Sequence, residues 1–303
     1  MNDTVEINNW IYSGDFVDIF SIKKTVDFLP DSLSKYYGLT ENSIKAITES
    51  YIYVNHPSEF NDPYDSYRPF SFANGDSNGY QEFNLFFVNI GLVSMSEIST
   101  DMLMWAHYSG HDGFLVNFKV DSLKNKFQFL FPMNYIDSLP NLQIDNSTLK
   151  FMISTNIKSS KWRYEREWRL YYRSTPMPLP NVGHLHKEMN EKWIFKTRRT
   201  PKERKAKYDN CDINYVSLGY KFFLKEDHFQ LNRQIILLNI KDKLKSILVD
   251  YLIEKGISIR LITYGDVADF GLRECPVIIK KIDADYKYEI IISAADAGLY
   301  PVL

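Results

Sequence analysis

Apolar residues along this chain fall into short blocks, most of them with the spacing of strands. Leu33-Ser34-Lys35-Tyr36-Tyr37 reads as a strand closed by Gly38. Thr40, followed three residues later by Ser43 and with Glu41 in the first turn, predicts a helix to about residue 49. Tyr51-Ile52-Tyr53-Val54 is β-branched and aromatic, so it predicts a second strand. The continuous apolar run over 86–95 fits a strand buried on both faces. Met102, Leu103, Met104, Trp105 and Tyr108 have helical spacing; Asp101 is placed to cap that helix and Gly110 to end it.

Further strands are expected at 113–118, 161–173, 234–239, 258–264, 277–282 and 286–292. A helix is expected over 241–255, with Leu244, Ile247, Leu248, Tyr251 and Leu252 on one side. The irregular apolar positions between about 8 and 28 read as an N-terminal extension, residues 1–32, with a short helix. Residues 33–303 read as a single domain, and the polar, Pro-rich, basic stretch at about 174–225 as an insertion on its outside. Strands predominate and helices are few and short, which places the chain in the α+β class. No period of about 20–50 residues repeats, so solenoids and propellers are excluded.

Composition narrows the function. The 303 residues are 45% hydrophobic and 15% aromatic, the profile of a folded protein. Thirty-six basic residues against 38 acidic ones give a net charge of -2, so no global field draws in a polyanion or a membrane. Any contact with nucleic acid must be local. Cys211 and Cys275 form neither a disulfide framework nor a zinc spacing, and a reducing cytoplasm is the expected compartment. The first residues lack a basic and apolar leader, and no window approaches the ~18 apolar residues of a membrane span. With 13 glycines and no phosphate-binding Gly-rich loop, an ordinary dinucleotide fold is not expected. A G-x-S-x-G elbow and a Cys/His catalytic signature are also missing.

Four segments carry candidate chemistry. Phe60-Asn61-Asp62-Pro63 is either a turn or a place where Asn61 and Asp62 meet a polar ligand. His107 and His111 are four apart, like a metal pair, but a third ligand is missing and Gly110 ends the helix between them. Residues 161–171, read as a strand, put Trp162, Tyr164, Trp168 and Leu170 on one face and Arg163, Glu165, Glu167 and Arg169 on the other. That second face is either a solvated charge ladder or the wall of a site whose carboxylates are held rigidly. The run 196–207 contains Lys196, Arg198, Arg199, Lys202, Arg204, Lys205 and Lys207 against the single Glu203. It is either a solvated loop or a patch for a phosphate backbone, with Trp193 and Phe195 available for stacking.

These motifs together resemble the bacterial domain-of-unknown-function family 2971. Its pattern is a strand like that at 33–36, then Phe60-Asn61-Asp62-Pro63, then Ser96, Met104-Trp105, Tyr108, His111 and Gly113. Lys158 or Lys161 follows, with Trp162, Glu165, Glu167 and Arg169. A weaker resemblance is to ADP-ribosyltransferases, and it implies a mixed, mostly antiparallel split sheet that binds NAD as substrate. On that layout Lys35 or Tyr36 takes the first site position, where such enzymes carry Arg or His. Ser96 takes the second, and Glu167 the third with Glu165 two residues before it. Trp105 or Tyr108 would stack on nicotinamide, and Asn61 would complete the NAD-binding set.

The chemistry implied is cleavage of the nicotinamide–ribose bond. Positive charge develops on the ribose, as in glycoside cleavage. Glu167 would stabilise it, and Glu165 would orient or deprotonate the attacking group. No metal is needed. By analogy with small stand-alone transferases, the protein would be a cytoplasmic toxin or antiviral-defence effector, of the kind found in toxin-antitoxin systems. Its target would be a macromolecule, RNA or DNA if 196–207 is used, and an inhibitory partner protein would be in keeping with that role. One alternative is a metal-dependent nuclease or phosphodiesterase using Asp62, Asp65, Glu165, Glu167 and His107. The other is a non-catalytic sensor or interaction module.

Overall fold

A computed structural model describes residues 4–8, 10–13, 21–24, 29–55, 60, 62, 65, 90–127, 129–138, 142, 144, 146–173, 204–223, 228–230, 232, 234–265, 271–282 and 287–293. Asn61 and most of the basic run at 196–207 lie outside them. The chain divides into two compact units that alternate along the sequence. One comprises Met1–Leu29, Ile52–Ser94 and Lys124–Ala206; the other comprises Pro30–Tyr51, Met95–Leu123 and Lys207–Leu303. Both mix strands with short helices, and most strand pairs are antiparallel.

In the first unit, Thr4–Ile7, Trp10–Ser13 and Ser21–Lys24 form a three-stranded antiparallel sheet. The described parts of the N-terminal stretch are therefore strands, where a short helix was expected. Trp10 and Tyr12, two apart, both face inward, so an alternation too short to stand out decides the structure. Glu167–Arg173 pairs antiparallel with Phe129–Pro132, and Asn134–Ile136 pairs parallel with Ile157–Ser159. The helix Ser147–Asn156, capped by the Asn146 side chain, buries Leu149, Phe151, Met152 and Ile153 in one core with Trp10, Tyr12, Leu92 and Tyr171. Buried polar groups in this core are paired. Tyr12 Oη donates to Asn156 Oδ1 at 2.9 Å, and Asn134 Nδ2 donates to Tyr12 Oη at 3.0 Å.

The second unit is built on strands running, in spatial order, His228–Gln230, Ile235–Leu238, Tyr288–Ile292, Leu272–Lys281, Ile259–Tyr264, Ile213–Leu218, Phe114–Lys119 and Ser32–Tyr37. All neighbours are antiparallel except Ile213–Leu218 beside Ile259–Tyr264. The end of the stretch expected to be an outside insertion thus supplies an inner strand of this sheet, with Val216, Ser217 and Leu218 buried. The runs expected at 277–282 and 286–292 are observed as the longer Leu272–Lys281 and as Tyr288–Ile292.

Register sorts the two faces of this sheet. Ser34, Tyr36, Leu115, Asn117, Tyr215, Ser217, Arg260, Ile262 and Glu274 share one face; Leu33, Lys35, Val116, Phe118, Val216 and Leu261 share the other. Onto the first face packs the helix Met102–Ser109, whose Trp105 shares one buried cluster with Leu115, Ile262 and Leu272. Asp101 caps that helix, accepting from Met104 N at 2.9 Å, and Gly110 ends it with a left-handed φ of 62°, as the sequence predicts. Glu41–Thr48 and Lys243–Glu254, capped by Thr40 and Asp242, complete the unit's longer helices. Among the described residues no helix is long and apolar enough to cross a membrane.

Candidate functional site: a buried ion network

The segment expected to be one strand over 161–173 is two elements. Ser160–Glu165 is a 3₁₀ helix, capped by the Ser159 hydroxyl, and the strand begins only at Glu167. Between them Arg166 adopts a left-handed φ of 40°. The alternation of aromatic and charged residues therefore does not sort 161–165 into strand faces. Trp162 and Tyr164 are half-buried, their rings 6.0 Å apart, and neither backs the strand in the way expected.

What the turn achieves is a convergence of charge. Lys158, on the short Ile157–Ser159 strand, donates through Nζ to Glu165 Oε2 at 2.5 Å and to Glu167 Oε2 at 2.7 Å. Arg169 Nε donates to Glu167 Oε1 at 3.1 Å, its Nη2 to Asp65 Oδ2 at 2.6 Å, and its Nη1 to the Thr155 carbonyl at 2.6 Å. The guanidinium also lies 4.6 Å from the Phe60 ring centroid. Tyr135 braces the strand start by accepting the Glu167 N–H at 2.8 Å. The side chains of Glu165 and Glu167 are only 3% and 4% exposed, so the pair is no solvated ladder. Lys161, the other candidate for the motif lysine, is exposed.

Electrostatics divide the carboxylates. Burial would push Glu167 up, but Arg169 and Lys158 together outweigh it and hold the group at about 2. For Asp65, burial dominates and the nearby Glu167 adds to it, so its pKa is raised although Arg169 opposes the shift. Lys158 is pushed down by burial and up by Glu167 and Glu165, with a net rise. Among the described residues of this network two cations face three acids. Among the described residues no group of three or more His, Cys, Asp or Glu is arranged to hold a metal. Lys158 and Arg169 occupy the space between the carboxylates instead.

The residues expected to bind NAD, other than Asn61, fall in the second unit. Tyr36 and Trp105 meet edge to face at 5.3 Å, Tyr36 Oη donates to the Ile98 carbonyl at 2.8 Å, and Ser96 Oγ accepts the Ile98 N–H at 2.9 Å. Ser96 pairs with Ser34, on the same sheet face as Tyr36. Lys35 points to the opposite face, its ammonium 5.6 Å from the Tyr37 ring, so of the two candidates for the first position Tyr36 is the one beside Ser96 and Trp105. Trp105 is fully buried and its indole N–H donates to the Ser99 carbonyl at 2.7 Å, leaving its ring as core; Tyr108 is half-buried. Sequence reasoning passed over Tyr215, Arg260 and Glu274 on this face. Arg260 stacks 3.5 Å from the Tyr215 centroid and bonds Glu274 at 2.7 Å, while Ser217 Oγ donates to the same carboxylate at 2.6 Å.

Comparison with known proteins adds one finding. Residues 104–170 match the model of a family described as a protein of unknown function, DUF2971. The match supports the resemblance read from the motifs and spans Trp105, His111, Lys158, Glu165, Glu167 and Arg169. No curated protein and no solved structure matches the chain.

Proposed function

We propose that the protein is an NAD-dependent ADP-ribosyltransferase in which Glu167 is the charge-stabilising carboxylate and Glu165 acts on the attacking group. The observation that carries this reading is Glu167 itself: a carboxylate at the first residue of a strand, kept ionised by Lys158 and Arg169, with a second glutamate on the same lysine. A carboxylate held ionised in a fixed position is what a developing ribosyl cation requires. The macromolecular target and the defence role remain parts of this proposal. A second reading, a structural charge network in a non-catalytic module, is favoured by the burial of both glutamates.

One experiment separates the two. Purified protein, with cell extract supplying acceptors, should release nicotinamide from NAD. Glu167→Gln, of nearly equal shape, should lower that release about a hundredfold or more while circular dichroism stays native. No release by the wild type, or full release by folded Glu167→Gln, would leave the structural reading in possession.

A further inference from the structure

The loop after the Met102–Ser109 helix has no part in that proposal. Gly110 takes its left-handed φ as a helix cap, which glycine does at little cost. His111 follows it with φ 67°, a conformation that costs an L residue roughly 1–2 kcal/mol. The surroundings impose it. His111 N donates to the Trp105 carbonyl and its own carbonyl accepts from Lys221 N, each at 3.1 Å. Gly219 approaches so closely that a Cβ there would stand 2.2 Å from the His111 oxygen. A strained backbone over-determined by its neighbours is typical of functional positions.

The side chain is equally constrained. The imidazole centroid lies 4.8 Å from that of Tyr220, and Tyr220 lies 5.8 Å from Tyr264. Tyr220 packs against the core of Trp105, Leu115, Ile262 and Leu272, whereas Tyr264 is 49% exposed. His111 Nδ1 is buried and has no hydrogen-bond partner. Charging the ring would leave a buried N–H unsatisfied, and burial, followed by Lys221, lowers its pKa. With Nδ1 buried, Nε2 is the ring atom left to meet a ligand, and a neutral imidazole suits an uncharged polar edge better than an anion. The anion has its own partner in the exposed Lys221, whose ammonium lies 5.4 Å from the Tyr220 centroid.

We infer that His111, Tyr220, Tyr264 and Lys221 form a nucleotide site: the base stacks on Tyr264, His111 hydrogen-bonds its edge, and Lys221 meets the attached phosphate. An exposed ring fixed by a rigid neighbour is a stacking platform that any base can use. This assignment does not rest on Glu167 or on NAD cleavage. Free nucleotides and single-stranded nucleic acid share the chemistry.

Calorimetric titration of the full chain with AMP, ribose 5-phosphate and a short oligoadenylate tests it. AMP should bind and ribose 5-phosphate should not. Tyr264→Ala should weaken AMP about 5- to 150-fold, the range for losing one stacked base, while Tyr264→Phe retains binding. His111→Asn, which keeps a residue tolerant of the left-handed region, should weaken it with an unchanged unfolding midpoint. An oligoadenylate that binds more tightly than AMP assigns the site to a strand, and equal affinity assigns it to a free nucleotide. Absence of binding by both AMP and oligoadenylate in the wild type, or identical affinities in the wild type, Tyr264→Ala and His111→Asn, would overturn the inference.

Discussion

Replacing Lys158 by methionine tests the ion network most directly. The substitution keeps an unbranched side chain of similar reach and deletes one charge held at 2.5 and 2.7 Å from two carboxylates. Removing one partner of a buried pair costs about 3–5 kcal/mol, chiefly because the remaining charge is stranded. Here two anions lose a shared cation, and Glu167 keeps Arg169 in direct contact. A loss of about 4 kcal/mol at neutral pH is expected, against a total stability on the order of 5–15 kcal/mol. Two further features follow from the cause. Without Lys158, Glu167 loses one of the two cations that lower its pKa, so the deficit should shrink on acidification as that carboxylate takes up a proton. Adding Glu165→Gln to Lys158→Met removes one of the two anions that lose the lysine and should recover part of the loss. Urea denaturation of the wild type, the single and the double variant, at neutral pH and in mild acid, measures all three effects; Trp162, whose ring centroid is 5.1 Å from Lys158 Nζ, provides a local fluorescence signal. A deficit under about 1 kcal/mol, independent of pH and unrelieved by the second substitution, would refute the network as a determinant of this unit's stability.

Acid should reveal Glu167 separately. Its pKa falls from 4.5 to about 2 on folding, so its contribution is present above about pH 4.5 and is lost as pH drops towards 2. That contribution is about 3 kcal/mol, and the difference in stability between wild type and Glu167→Gln, followed from pH 6 downwards, should close over that interval. At the turn before the strand, Arg166 is exposed with φ 40°, and Arg166→Gly should raise stability by about 0.5–1 kcal/mol in the same denaturation assay.

Local signals in the sequence were enough to place the elements whose causes are local. Thr40 and Asp101 cap the helices they precede because a side-chain oxygen and a nearby N–H are all that a cap requires. The same signal was available at Asn146, which accepts the Leu149 N–H at 3.0 Å. It was missed because Ser147–Asn156 is buried along much of its length and carries no polar stripe to mark it as a helix. Ile213–Leu218 was lost in the polar composition of the longer stretch around it. At the site, the pairing of Glu165 with Glu167 was legible, but its geometry was not. A period of two is as compatible with a 3₁₀ turn, a left-handed Arg166 and a strand as with one continuous strand. Arg169 and Asp65 are 104 residues apart, and no local pattern announces that they meet.

The geometry also restricts what Glu167 could do in catalysis. A carboxylate offers about four lone-pair directions. Lys158 takes one on Oε2, Arg169 takes one on Oε1, and the Ser94 hydroxyl is a further donor. What is left suffices for one substrate hydroxyl. With its pKa near 2, Glu167 is a poor proton acceptor at neutral pH but a persistent anion. Under the proposed transfer its part would be confined to holding charge, and proton removal would fall to Glu165 or to the acceptor itself. Holding charge is also what the structural network demands of Glu167, so the two readings impose the same geometry on this residue. Stability measurements on Lys158 and Glu167 will come out alike under either, and only turnover of NAD distinguishes a carboxylate that supports a strand from one that supports a transition state.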